Sequence, residues 1–124
     1  MSLHDLQQRL ADFAHRRDWE QFHTPKNLVM ALAGEAGELV ELFQWLTAAQ
    51  SSELMSDPYR AEQVRDEMAD VFSYLLRLAD VLDVDLEAAL RAKIARNEQR
   101  YPEELARGRA EKHNQLLERK HQSE

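Results

Sequence analysis

TPKNLVMALAGEAGELVELFQWLT, residues 24–47, is the stretch whose reading decides the fold. Thr24 has the side chain of a helix N-cap, and Pro25 follows where the missing N–H costs nothing. Leu28, Leu32, Leu39 and Leu42 recur at helical spacing, so a long helix is expected to about Thr47. On a helical wheel with Glu35 at zero, those leucines fall between about −20° and +60°. Glu35 therefore sits inside the apolar arc. Glu38 falls near −60°, at its edge, with Trp45 at about −80°.

Residues 57–82, DPYRAEQVRDEMADVFSYLLRLADVL, repeat the design. Asp57-Pro58 is again cap plus proline, and the helix is expected to run to about Leu82. With Glu67 at zero, Val64, Val71, Tyr74 and Leu78 span about −20° to +60°, and Asp70 falls near −60°. Each helix thus carries one acid amid apolar residues and a second acid three residues on. Arg77, near −80°, is marginal to its arc.

Outward from these two, Leu3, Leu6, Leu10 and Phe13 predict a first helix over about 3–17. Asp85 is positioned to cap a fourth over about 86–100, which stops before Pro102. Ser51 to Ser56 reads as polar loop, and no strand alternation appears. The segment after Pro102 is charged, with Leu105, Leu116 and Leu117 as its large apolar residues. At 124 residues the chain is expected to form one domain over 1–107, followed by a charged tail over 108–124. A core this small gains from a second subunit.

The net charge of −7 argues against a nucleic-acid-binding module. All of that excess lies in residues 1–102, so a free phosphate compound is repelled unless metal ions intervene. Without cysteine there is no disulfide framework, thiolate site or cysteine catalysis. No apolar run reaches the roughly 20 residues that span a bilayer, and no basic-then-apolar leader is visible. A cytoplasmic protein without membrane contact is expected.

Two facing helices of this kind would gather Glu35, Glu38, Glu67 and Asp70 in one half-buried place. Ionised together without counterions, they would repel and carry a large desolvation cost. No Lys or Arg lies within either arc. Divalent cations are the best match, and all-oxygen ligation favours Mg²⁺, with Mn²⁺ as the alternative. A di-iron bundle would require Glu-x-x-His, whereas the third residue on is Glu38 or Asp70. The ordinary reading, solvated acids on an amphipathic surface, suits Glu41, Glu62 and Asp66.

GEAGELVE (34–41) followed by DEMADV (66–71) resembles the MazG-like nucleotide pyrophosphohydrolases of the all-α NTP pyrophosphatase superfamily. RDWEQFH (17–23), ELFQW (41–45), Val84-Asp85-Leu86 and Asn97 to Pro102 bring it nearest to the dCTP pyrophosphatase branch. The likeness covers about residues 3–107. It implies an all-α four-helix bundle assembled as a dimer or dimer of dimers. It also implies Mg²⁺-dependent hydrolysis of a nucleoside triphosphate, such as dCTP or a modified dCTP, to the monophosphate and pyrophosphate.

By the same resemblance, Glu35, Glu38, Glu67 and Asp70 match the metal ligands, with Glu38 and Glu35 the catalytic acids. Trp19, His23, Trp45 and Tyr74 match residues near base and sugar. Lys93 and Asn97 match phosphate contacts, with Arg96, Arg100 and Tyr101 as neighbours. Leu10 departs from relatives that carry His there, which leaves base preference open; Asp66 stands where a Glu is often seen. Physically, Trp19 and Trp45 provide faces for a pyrimidine, His23 reads its edge, and Lys93 offers a compact charge. The alternatives are a MazG-like hydrolase of other nucleotides such as dUTP, or a non-catalytic helical module that binds nucleotide or a protein.

Overall fold

The structure, a computed structural model, describes residues 1–110 and is helical throughout them. The chain forms two units, residues 1–84 and a second beginning at Asp85. In the first unit the long helices are α1 (Leu3–Arg16), α2 (Pro25–Phe43) and α4 (Pro58–Val81), with a short α3 (Ala48–Glu53) between the last two. No described helix is long and apolar enough to cross a membrane.

Local chemistry starts each helix where the residues require. Ser2 and Asp5 cap α1 reciprocally: the Asp5 N–H donates to Ser2 Oγ at 3.2 Å, and the Ser2 N–H donates to Asp5 Oδ2 at 2.9 Å. The Thr24 hydroxyl accepts the Asn27 N–H at 3.3 Å, and Asp57 accepts the Tyr59 N–H at 3.0 Å, each followed by proline.

Two helices end alike. Asp18 and Asp83 both adopt φ 55°, the left-handed conformation that reverses a chain after a helix. The Trp19 N–H then reaches back to the Ala14 carbonyl at 2.9 Å, and the Val84 N–H to that of Ala79 at 2.8 Å. Both pairs are the six-to-one bond of a Schellman motif with aspartate in glycine's usual place.

One expectation is corrected. The helix expected to reach Thr47 stops at Phe43, and residues 51–56, expected to be loop, instead complete α3 and a 3-10 turn over Leu54–Ser56. Thr47 caps α3 rather than ending α2: its hydroxyl accepts the Gln50 N–H at 3.1 Å, and Gln50 Oε1 accepts the Thr47 N–H at 2.9 Å. Leu54 is buried and pins the turn, which packs on α4.

Helices α2 and α4 form the main packing pair, and α1 lies on α4. The end of α2, at Leu42, shares a groove with Arg60 and Val64 near the start of α4. His23, just before α2, meets Arg77 late in α4. The pair is therefore antiparallel, as carboxylates converging from both helices require. Ala14, Leu28, Leu54, Ala61, Val64, Leu76 and Ala79 are the buried core. Gln7 Nε2 donates to the Leu76 carbonyl at 3.1 Å and ties α1 to α4.

The second unit, taken by itself, holds α5 (Leu86–Arg100), capped by Asp85 Oδ1 on the Ala88 N–H at 3.0 Å, and α6 (Glu103–Ala106) after Pro102. Most of the expected tail, with Leu116 and Leu117, lies outside the described residues.

Candidate metal centre and its adjoining pocket

The two facing helices bring carboxylates together as their spacing dictates. One oxygen each from Glu35, Glu38 and Glu67 lies within 4.8 Å of the others. Glu35 and Glu67 are half-buried, and Glu38 and Asp70 are exposed. Asp70 stands outside that tight triad but acts on it, its charge raising the pKa of both Glu35 and Glu67. No ion pair to any of the four acids occurs among the described residues.

The electrostatics follow from this crowding. Burial, then the hydrogen bond with Glu38, then the charges of Glu38, Asp70 and Glu67, push the Glu35 carboxyl up to about 7. The Glu67 carboxyl is also raised, chiefly by burial and by Glu38. Glu35 Oε2 and Glu67 Oε2 are closed off from solvent, and no hydrogen bond reaches either. Buried acceptors are ordinarily satisfied, so two orphans on adjacent carboxylates call for a proton or a cation between them. An all-oxygen donor set with no thiolate or imidazole among it suits a hard divalent cation.

A cavity adjoins these acids. Its wall includes Trp19, His23, Glu35, Asp70, Tyr74 and Arg77. The α1 reversal at Asp18 delivers Trp19 to the pocket edge-on to Phe13, with ring centroids 5.7 Å apart. A 3-10 turn over Glu20–Phe22 then carries the chain to His23, whose ring lies edge-on to Trp19 at 6.4 Å. Arg77 Nε donates to His23 Nδ1 at 3.1 Å, and Arg77 NH1 donates to Asp80 Oδ2 at 3.2 Å. Burial, then the Arg77 charge, hold the His23 pKa below its usual value.

Trp19, His23 and Tyr74 are thus gathered beside Glu35 and Asp70 in one pocket. Trp45 is not among them. It is 86% exposed and borders a different groove, with Glu41, Arg60 and Gln63. Lys93 and Asn97 lie on α5 in the second unit, Lys93 exposed and Asn97 half-buried; Arg96, Arg100 and Tyr101 there are exposed.

Arg77 received no role from the sequence, yet it contacts a pocket residue directly. Asp70, Tyr74 and Arg77 fall on one helical stripe, the signal from which it was legible. Leu10 lines the same cavity.

Comparison with known proteins bears on most of the chain. Residues 31–116 match the model of the MazG-like family. The chain is 45% identical to dCTP pyrophosphatase 1 of Rattus norvegicus over 93% of its own length and 68% of that protein. Identity to the Homo sapiens protein of the same name is 44% over the same shares. A crystal structure of a pyrophosphatase from Archaeoglobus fulgidus superposes with a TM-score of 0.75 at 37% identity, covering 80% of this chain and 91% of the other.

Proposed function

Because this chain belongs to the MazG-like family, we propose that it hydrolyses dCTP, or a modified dCTP, to the monophosphate and pyrophosphate, with Mg²⁺ as cofactor. The observation that carries this reading is the triad of Glu35, Glu38 and Glu67 with its two orphan oxygens, set against an aromatic pocket.

Glu35, Glu38, Glu67 and Asp70 would hold the cation, and the donor set fits it. When bound, such a cation supplies positive charge against the phosphate oxygens. The chain's own groups do the rest. Glu38, exposed at the rim of the triad, accepts a proton from the attacking water as it approaches the α-phosphorus in line. Trp19 and Tyr74 offer ring faces to the base, and His23 a polar edge. Apolar Leu10 and Phe13 line one wall. Lys93 and Asn97 keep their proposed role at the phosphates, and a role for Trp45 near the base would need a second subunit, because within one chain it borders a separate groove.

Association into a dimer or tetramer belongs to the same proposal. Met68, Phe72 and Leu75 form an exposed apolar stripe on α4, and Val29 and Val40 are exposed on α2. A cytoplasmic location accompanies a nucleotide-pool role.

The test is product identification. Incubation of dCTP with enzyme and Mg²⁺ should yield dCMP and pyrophosphate, with turnover lost when the metal is withheld. Orthophosphate as the coproduct would overturn the bond assignment. A panel including dUTP and 5-substituted dCTP ranks the bases.

A further inference from the structure

The pocket beside the acids carries a side-chain relay from Asp80 through Arg77 to His23, of which the hydrolytic reading uses His23 alone. Arg77 is largely shut from solvent, its side chain 12% exposed, and its guanidinium is held from the far side by Asp80. Its Nε points to His23 Nδ1 at 3.1 Å. A guanidinium has donors only and keeps its proton at any ordinary pH. The nitrogen it faces must therefore supply a lone pair, and the single proton of the ring is left on Nε2. That nitrogen has no hydrogen-bond partner among the described residues.

We propose that Arg77, anchored by Asp80, fixes His23 as the neutral Nε2–H tautomer, so that the pocket presents a hydrogen-bond donor to a carbonyl or ring-nitrogen acceptor of the nucleotide's base. Arg77 is a positioning residue, acting on the ligand through His23. The part that concerns the base rests on the hydrolase reading above; the tautomer itself does not.

The chemistry narrows what His23 can read. A pyrimidine offers acceptors at its C2 carbonyl and, in cytosine, at N3, while the amino group of cytosine is a donor. Donor against donor is repulsive, so His23 does not recognise the amino group. Choice between cytosine and uracil falls to other pocket groups. The remaining titratable groups on the wall, Glu35 from α2 with Asp70 and Tyr74 from α4, are carboxylates and a phenol. None of them hydrogen-bonds to Nδ1 in competition with Arg77, so the tautomer is set by one bond.

Long-range proton–nitrogen NMR of the full ¹⁵N-labelled chain reads the tautomer directly, with His23 assigned by its loss in His23→Gln. The wild type should show Nδ1 as a bare, pyridine-type nitrogen and Nε2 as N–H near neutral pH. Arg77→Lys, which still donates, should retain that pattern, and Arg77→Met should lose it. Binding of dCMP, followed by Trp fluorescence, should weaken about tenfold in Arg77→Met and recover in Arg77→Lys. A proton on Nδ1 in the wild type, or a wild-type pattern in Arg77→Met, overturns the proposal. The wild-type spectrum decides even if a variant fails to fold. Should the expected pattern appear with no turnover of any nucleotide, the hydrolase reading falls and the relay stands.

Discussion

Glu35 and Glu67 are the residues on which the chemistry turns, and their charge has a measurable consequence. The Glu35 carboxyl titrates near 7 in the folded protein against 4.5 ordinarily, and Glu67 is shifted the same way. Between those values the folded chain holds protons that the unfolded chain has released. Stability of the metal-free protein therefore falls as pH rises from about 4.5 to about 7, and levels off above. Melting in EDTA should give a lower midpoint at pH 8 than at pH 5, and Mg²⁺ should restore most of the difference at pH 8. A midpoint that rises with pH in EDTA would contradict the uncompensated cluster. Removing one acid separates function from folding. Glu38→Gln should lower turnover by roughly 10²–10⁴-fold, the range for a lost proton-transfer group, and Glu67→Gln should lower it by removing a metal ligand. Metal-free Glu67→Gln should melt no lower than wild type, because a repelling charge has gone. Full activity in either variant would remove the metal-centre model.

Helix ends place the pocket residues more than helix interiors do. Asp18 holds φ 55° so that Trp19 turns back onto α1 and faces Phe13 and His23. Aspartate tolerates this conformation better than alanine does. Asp18→Ala should cost about 1 kcal/mol in chemical denaturation and raise KM for dCTP through a displaced Trp19. Unchanged KM alongside reduced stability would show that the reversal does not position the ring. The helices themselves were legible: Thr24-Pro25, Asp57-Pro58 and Asp85 start α2, α4 and α5 where their chemistry predicts. The 43–56 segment was misread because Thr47 suits the end of one helix and the cap of the next equally well by composition. Only its bonds with Gln50, and the burial of Leu54, distinguish the two.

For the whole molecule, the amount of apolar surface left in water matters most. Among the described residues few large side chains are buried, whereas Met68, Phe72 and Leu75 line one exposed face of α4. Light scattering should give the mass of a dimer or tetramer, and Met68→Glu should shift it towards monomer. A wild-type monomer at micromolar concentration would sink the assembly proposal. Sequence alone determined the helical class and the two acidic pairs, because caps, prolines and a 3.6-residue period act within a few turns of chain. It also put Glu35, Glu38, Glu67 and Asp70 on one side of their helices, since a helical wheel fixes side-chain direction before any packing. Only the tertiary structure decided that three carboxylates close to within 4.8 Å while Asp70 stands aside, that Trp45 faces another groove, and that Arg77 commands the ring of His23. Those outcomes depend on contacts between residues as far apart in the chain as 23 and 77, set by how the helices pack.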